Sequence, residues 1–176
     1  MNLSAFQSYQ FRRYLVCVAI ALHGVWIQRI VVAWLAWDVS SSPAFVGFAT
    51  FLSFVPTMIT GPFFGVVADR IEIRGAIYSN YIAMLLVTLT FIVSAYVFGI
   101  NKISLVFFAT VIGITASANH PFRMSIAARL GSKEKLSSII AITTLNFNIS
   151  RLVGPAIGGL LLAQFGPTQT LWVTCV

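Results

Sequence analysis

The run from 44 to 68, AFVGFATFLSFVPTMITGPFFGVVA, contains no charged residue. It closes on Asp69-Arg70-Ile71-Glu72-Ile73-Arg74, and a second uncharged run, AIYSNYIAMLLVTLTFIVSAYVFGI, follows from 76 to 100. A helix rises about 1.5 Å per residue and the hydrocarbon layer of a bilayer is about 30 Å thick, so about 20 apolar residues make one crossing. Each run has that length, and the charged connection between them belongs at a water interface. The rest of the chain has to fit a hairpin of two membrane helices.

Further stretches of the same kind lie on either side. One is Tyr14–Trp37, interrupted by Gln28-Arg29; another is Ile103–Phe122; a third is Ser137–Phe165, interrupted by Arg151. With Ala44–Ala68 and Ala76–Ile100 they make five expected crossings. Helices are the physical default, because each satisfies its own backbone hydrogen bonds in lipid. The alternating ten-residue strands of a membrane barrel are not found. Connections are short and carry breakers, as at Ser40-Ser41-Ser42-Pro43, Asn101-Lys102 and Gly166-Pro167, which leaves no room for an extramembrane domain.

Composition points the same way. Of 176 residues, 59% are hydrophobic and 9% charged, with a mean hydropathy of +0.93. A soluble domain is about 25% charged and needs that charge to cover its surface. A cytosolic enzyme, a nucleic-acid module and a disordered chain are thereby excluded. The net charge of +7 sits between apolar runs, so it reads as a topology signal and no nucleic-acid partner is expected. Cys17 and Cys175 lie in apolar segments and read as packing residues. Arg12 and Arg13 precede the first run as in a signal peptide, but the run is too long and lacks a cleavage site.

The basic residues are one-sided. Arg12, Arg13, Arg70, Arg74, Arg123, Arg129, Lys133 and Lys135 fall at one face of the expected bundle and only Lys102 at the other. Positively charged connections stay in the cytoplasm, so the N-terminus is expected there. After Gly166-Pro167 a new apolar segment, Thr168 to Val176, reaches only about 14 Å as helix. The expectation is a sixth helix cut short, in a fragment of a longer protein.

Two pentapeptides repeat a pattern: Gly61-Pro62-Phe63-Phe64-Gly65 and Gly154-Pro155-Ala156-Ile157-Gly158. They occupy similar depths in spans of opposite direction. That fits an inverted repeat of three helices, about 14–100 and 103–176, as in secondary transporters. The alternative is that Gly and Pro are simply frequent in membrane helices. Each pattern also lets a neighbouring backbone come close, and its proline can bend the helix. Rocking helices and static tight packing both use these properties.

Gly65-Val66-Val67-Ala68-Asp69-Arg70-Ile71-Glu72-Ile73-Arg74 resembles the signature of the major facilitator superfamily between its second and third helices. Gly65, Asp69, Arg70 and Arg74 match. Glu72 stands where the pattern has glycine, and Ile73 replaces the first of two basic residues. Arg151-Leu152-Val153-Gly154-Pro155-Ala156-Ile157-Gly158-Gly159 looks like the fifth-helix motif of the superfamily's proton-coupled exporters. Trp26-Ile27-Gln28, Trp34-Leu35, Ser41-Ser42-Pro43, Val46-Gly47 and Pro56 resemble the branch of macrolide efflux proteins and the enterobactin exporter. A fourth-helix signature with an early arginine is not evident; His120-Pro121-Phe122-Arg123 lies at the far, cytoplasmic end of that span.

The resemblance covers essentially the whole chain. It implies an all-α integral membrane protein, residues 1–176 forming a single membrane domain: the N-terminal half of a twelve-helix fold with a 3+3 inverted repeat. It implies a bacterial inner membrane, a partner C-terminal half, protons as coupling ion and export of a small amphipathic molecule. Asp69 and Arg70, with Gly65 and Arg74, would latch the cytoplasmic side closed. A carboxylate at the membrane surface can pair with an arginine or a helix N-terminus in one arrangement and lose that partner in another.

Arg29 and Arg151 lie within spans, where an arginine costs about 2.5–3.5 kcal/mol on insertion scales. Thr144, Asn148, Arg151 and Pro155 fall on one helical face and read as lining a water-accessible path. No deep carboxylate answers the arginines. Three readings stay open: they bind an anionic part of a substrate, pair with acids elsewhere, or brace helix carbonyls. Trp26 could stack an aromatic substrate, as could Trp34; Trp37 reads as an interface anchor. His23 is a candidate proton relay or a packed histidine.

A secondary transporter is the leading function. An intramembrane enzyme would need a Gly-x-Ser, His-Glu-x-x-His or paired-aspartate motif, and none occurs. Nor is there a nucleotide-binding loop, so neither cofactor nor metal is expected. A non-transporting remnant or membrane subunit is the remaining alternative.

Overall fold

A computed structural model describes residues 8–129 and 136–175. Among these described residues there are six helices: α1 (Tyr9–Ser40), α2 (Pro43–Arg70), α3 (Ile73–Phe98), α4 (Lys102–Ser117), α5 (Asn119–Arg129) and α6 (Leu136–Val173). With α4 and α5 taken together, five crossings are long and apolar enough to span a bilayer. No strand occurs among the described residues. The chain is a multi-pass membrane protein of the all-helical class.

Local chemistry sets the ends. Ser8 caps α1 by accepting from the Phe11 amide at 3.4 Å, which starts the helix before the expected Tyr14. Ser42 caps α2, with Pro43 in the first turn, where a missing N–H costs nothing. Asn101 closes a capping box with Ser104 at the start of α4. Gly166 breaks α6 with φ 79°, a left-handed conformation that suits glycine.

The fourth crossing runs past the expected Phe122 to Arg129. It is split at Ala118 because Pro121 has no N–H for the Ser117 carbonyl and crowds it. Thr60 on α2 donates to the Ser117 hydroxyl at 2.7 Å beside this break.

Packing is dominated by α1 against α6 and α2 against α4. The main core joins Ile27, Val31, Val32 and Leu35 of α1 to Phe91, Leu105, Phe108 and Ile112. Phe91 and Phe108 stack with centroids 4.6 Å apart. Gln28 is buried and donates to Thr88 of α3 at 2.9 Å. A second cluster at the end bearing Arg70 and Arg74 packs Ala68, Ile73 and Ile77 on Phe122. The outer surface is apolar: Met58, Phe63, Phe98, Ile103 and Leu152 are all strongly exposed, as lipid contact demands.

Candidate functional site

A cavity of about 340 Å³ lies between α1, α2, the α4–α5 crossing and α6. Trp26 and Arg29 enter it from α1, Phe54 and Thr57 from α2, Asn119, His120 and Arg123 from α5, and Phe147 and Arg151 from α6. Spacing explains the convergence, since residues three or four apart share a helix face.

Gly154 sets the distance between α1 and α6. A Cβ there would lie 2.6 Å from the Trp26 Cβ, so only glycine lets the helices come this close. At that separation the Arg151 guanidinium sits 5.8 Å from the Trp26 ring. Arg29 lies 4.9 Å from the same ring and 3.8 Å from Phe54. Arg123 lies 5.1 Å from Phe147. Trp26 and Phe147 meet edge to face with centroids 5.9 Å apart.

Three guanidiniums thus share one small cavity, and none of the described acidic residues lines it. Cation–π contacts return about 0.5–2 kcal/mol each. Desolvating a charge costs several. The rings soften the penalty and leave a positive potential. Several buried polar atoms around the cavity have no hydrogen-bond partner: Trp26 Nε1, Arg29 Nε, Thr57 Oγ1, Asn119 Oδ1, and Arg123 Nε and Nη2. Most are donors. An acceptor-rich, anionic guest with apolar surface is what such a lining can hold. No group of three or more metal-ligating side chains occurs among the described residues.

The residues expected to line a path divide. Trp26, Arg29 and Arg151 do line this cavity. Thr144 and Asn148 lie exposed on α6 outside it, and Asn148 donates to the Thr144 carbonyl of its own helix at 3.1 Å. His23 faces Ser150 of α6, 3.3 Å away, and borders a separate apolar cavity with Ile27 and Ile157.

Arg123 was expected in the connection after Phe122; it lies instead within α5 and is 1% exposed. A signal was present: Asn119 and Arg123 stand one helical turn apart in a run that stays helical beyond Phe122. Phe54 and Phe147 gave none, since a ring facing a cavity and one facing lipid look alike in sequence.

The basic end of α2 forms a second locus. Asp69 is exposed and borders a cavity of about 460 Å³ with Gly65, Pro121, Ser125 and Arg129. Arg129 donates to the Ala68 carbonyl at 3.5 Å, a cation at a helix C-terminus. Arg70 and Arg74 are exposed. Lys133 and Lys135 lie outside the described residues. Pro155 is half-buried, Gly158 is buried against Ile27, and Gly159 faces open space.

A lipid-spanning helical bundle around a basic, ring-lined cavity defines a polytopic membrane protein. The chain belongs to the transmembrane secretion effector family of the major facilitator superfamily, which it matches over residues 1–176. It is similar to the staphyloferrin A transporter of Staphylococcus aureus (strain NCTC 8325 / PS 47), with 28% identity over 150 residues. That alignment takes in 84% of this chain and 38% of the relative, so the chain spans well under half the relative's length.

Proposed function

We propose that the chain works in a secondary transporter that exports a small amphipathic molecule, drug-, macrolide- or siderophore-like, in exchange for protons. It would supply the first helices of a twelve-helix carrier with a 3+3 inverted repeat, completed by a C-terminal half. It would sit in a bacterial inner membrane with its N-terminus and basic connections in the cytoplasm. One observation carries the reading: Arg29, Arg123 and Arg151 line a single cavity walled by Trp26, Phe54 and Phe147. Such a lining is costly for stability alone and useful for holding a ligand.

In this proposal a guest with an anionic group enters between the helices and replaces the water that solvates the guanidiniums. The Asp69–Arg70 region, with Gly65 and Arg74, makes its contacts in one bundle arrangement and loses them in the other, so it biases which side is open. Family membership and the name of the relative support transport; proton coupling rests on the fifth-helix motif around Arg151.

The test is efflux from cells carrying the gene at its native locus. Staphyloferrin A, the compound in the relative's name, is the first to try, beside a macrolide. Efflux should fall when a protonophore collapses the gradient. Arg29→Ala should slow export of anionic compounds about tenfold more than neutral ones, the factor of one charged hydrogen bond. Equal losses for both classes would make Arg29 a brace.

A further inference from the structure

We propose that Arg123 is a second anion-binding point in this cavity, so that the guest carries two acidic groups at opposite ends of an apolar or aromatic body. This rests on the carrier reading above and adds the substrate's charge pattern to it.

The first argument is burial without a partner. Arg123 is 1% exposed, and its Nε and Nη2 have no hydrogen-bond partner among the described residues. A bracing arginine would spend its donors on helix carbonyls. Arg129 on the same helix does so, at the Ala68 carbonyl. The contact nearest to a brace at Arg123 belongs to its backbone: the Tyr14 hydroxyl donates to the Arg123 carbonyl at 2.8 Å. That bond fixes the residue's position, and the side chain lines the cavity.

The second argument is placement. Arg29 and Arg151 both flank the Trp26 ring, while Arg123 sits over Phe147. The two rings meet edge to face with centroids 5.9 Å apart. The cationic groups therefore divide between two rings, Arg29 and Arg151 at Trp26 and Arg123 at Phe147. A single carboxylate can satisfy one of these two positions. A molecule with an acid at each end satisfies both and lays its middle along the rings. Guanidiniums favour carboxylates or phosphates by bidentate pairing.

The probes are a biphenyl dicarboxylate with its acids at opposite ends, the matching monoacid and the neutral diamide. Binding is measured by titration calorimetry on the purified chain in detergent. The diacid should bind about tenfold more tightly than the monoacid, and the diamide least. Arg123→Gln should abolish the preference for the diacid, lowering diacid affinity about tenfold more than monoacid affinity. If this variant fails to fold, as judged by its elution and helical signal, Arg123→Lys takes its place; it keeps a charge and should retain a reduced preference. Equal binding of diacid and monoacid by the unaltered chain overturns the proposal. So does an equal loss of both in Arg123→Gln, or a lysine variant indistinguishable from the unaltered chain. If no acid binds while a neutral macrolide is still exported, the two-point site falls and the carrier reading stands. If no acid binds and nothing is exported, both fall.

Discussion

Gly61-Pro62-Phe63-Phe64-Gly65 of α2 and Gly154-Pro155-Ala156-Ile157-Gly158 of α6 share one pattern and are used in opposite ways. In α6 both outer glycines are buried against α1. A Cβ on Gly154 would stand 2.6 Å from the Trp26 Cβ, and one on Gly158 would stand 3.3 Å from the Ile27 Cα. In α2 a Cβ on Gly61 or Gly65 would meet nothing within 4 Å. Small residues at this spacing permit close approach; whether a neighbour takes the space depends on the tertiary arrangement. The α6 copy fixes the helix pair that builds the cavity. The α2 copy stands open beside Asp69.

The contrast gives a graded series. Gly154→Ala is expected to be the most damaging change, because the obstructing atom is fixed to the α1 backbone. Overpacking of this kind costs about 1–3 kcal/mol, seen as a lower melting midpoint in detergent and a shift in Trp26 fluorescence. An unaltered midpoint would break the comparison. Asp69→Asn should leave membrane abundance and melting unchanged while efflux slows about tenfold, the size of a typical coupling between two states. Unchanged efflux would remove the latch. Gly158→Ala should cost about 1 kcal/mol, since its neighbour has only to yield by tenths of an ångström. Gly61→Ala and Gly65→Ala should be neutral or stabilising by up to about 1 kcal/mol, the helix preference for alanine. If Gly65→Ala melts normally and still stops efflux, the open glycine is needed in another bundle arrangement.

The spans were legible because hydropathy summed over a crossing is a strong signal: all five emerge, three of them within five residues of their expected limits, while the fourth runs on to Arg129 and the last continues through the Gly166 break to Val173. The faces were less so. In water an amphipathic stripe marks the core, but here both core and exterior are apolar, as Val31 and Leu152 illustrate with opposite exposure. Periodicity could therefore set Arg151 on a face with Thr144 and Asn148 without showing which of the three reaches the cavity. The burial of Arg123 was missed for a related reason: a charged residue near an expected helix end reads as exposed to water. Only the continuation of α5 to Arg129 and the packing of Phe122 reveal that it is covered. Arg29, Trp26 and Gly154 stood out by residue type, because a cation, a large ring and a small residue within an apolar run each ask for an explanation.

The proline-induced joint at Ala118 makes α5 a separate eleven-residue rod. Arg123 points from it into the cavity, and Arg129, about 9 Å further along its axis, grips the carbonyl of Ala68 next to Asp69. One helix therefore carries both a cavity-lining arginine and the arginine bonded to the end of α2, so any displacement of that helix would reach both places at once.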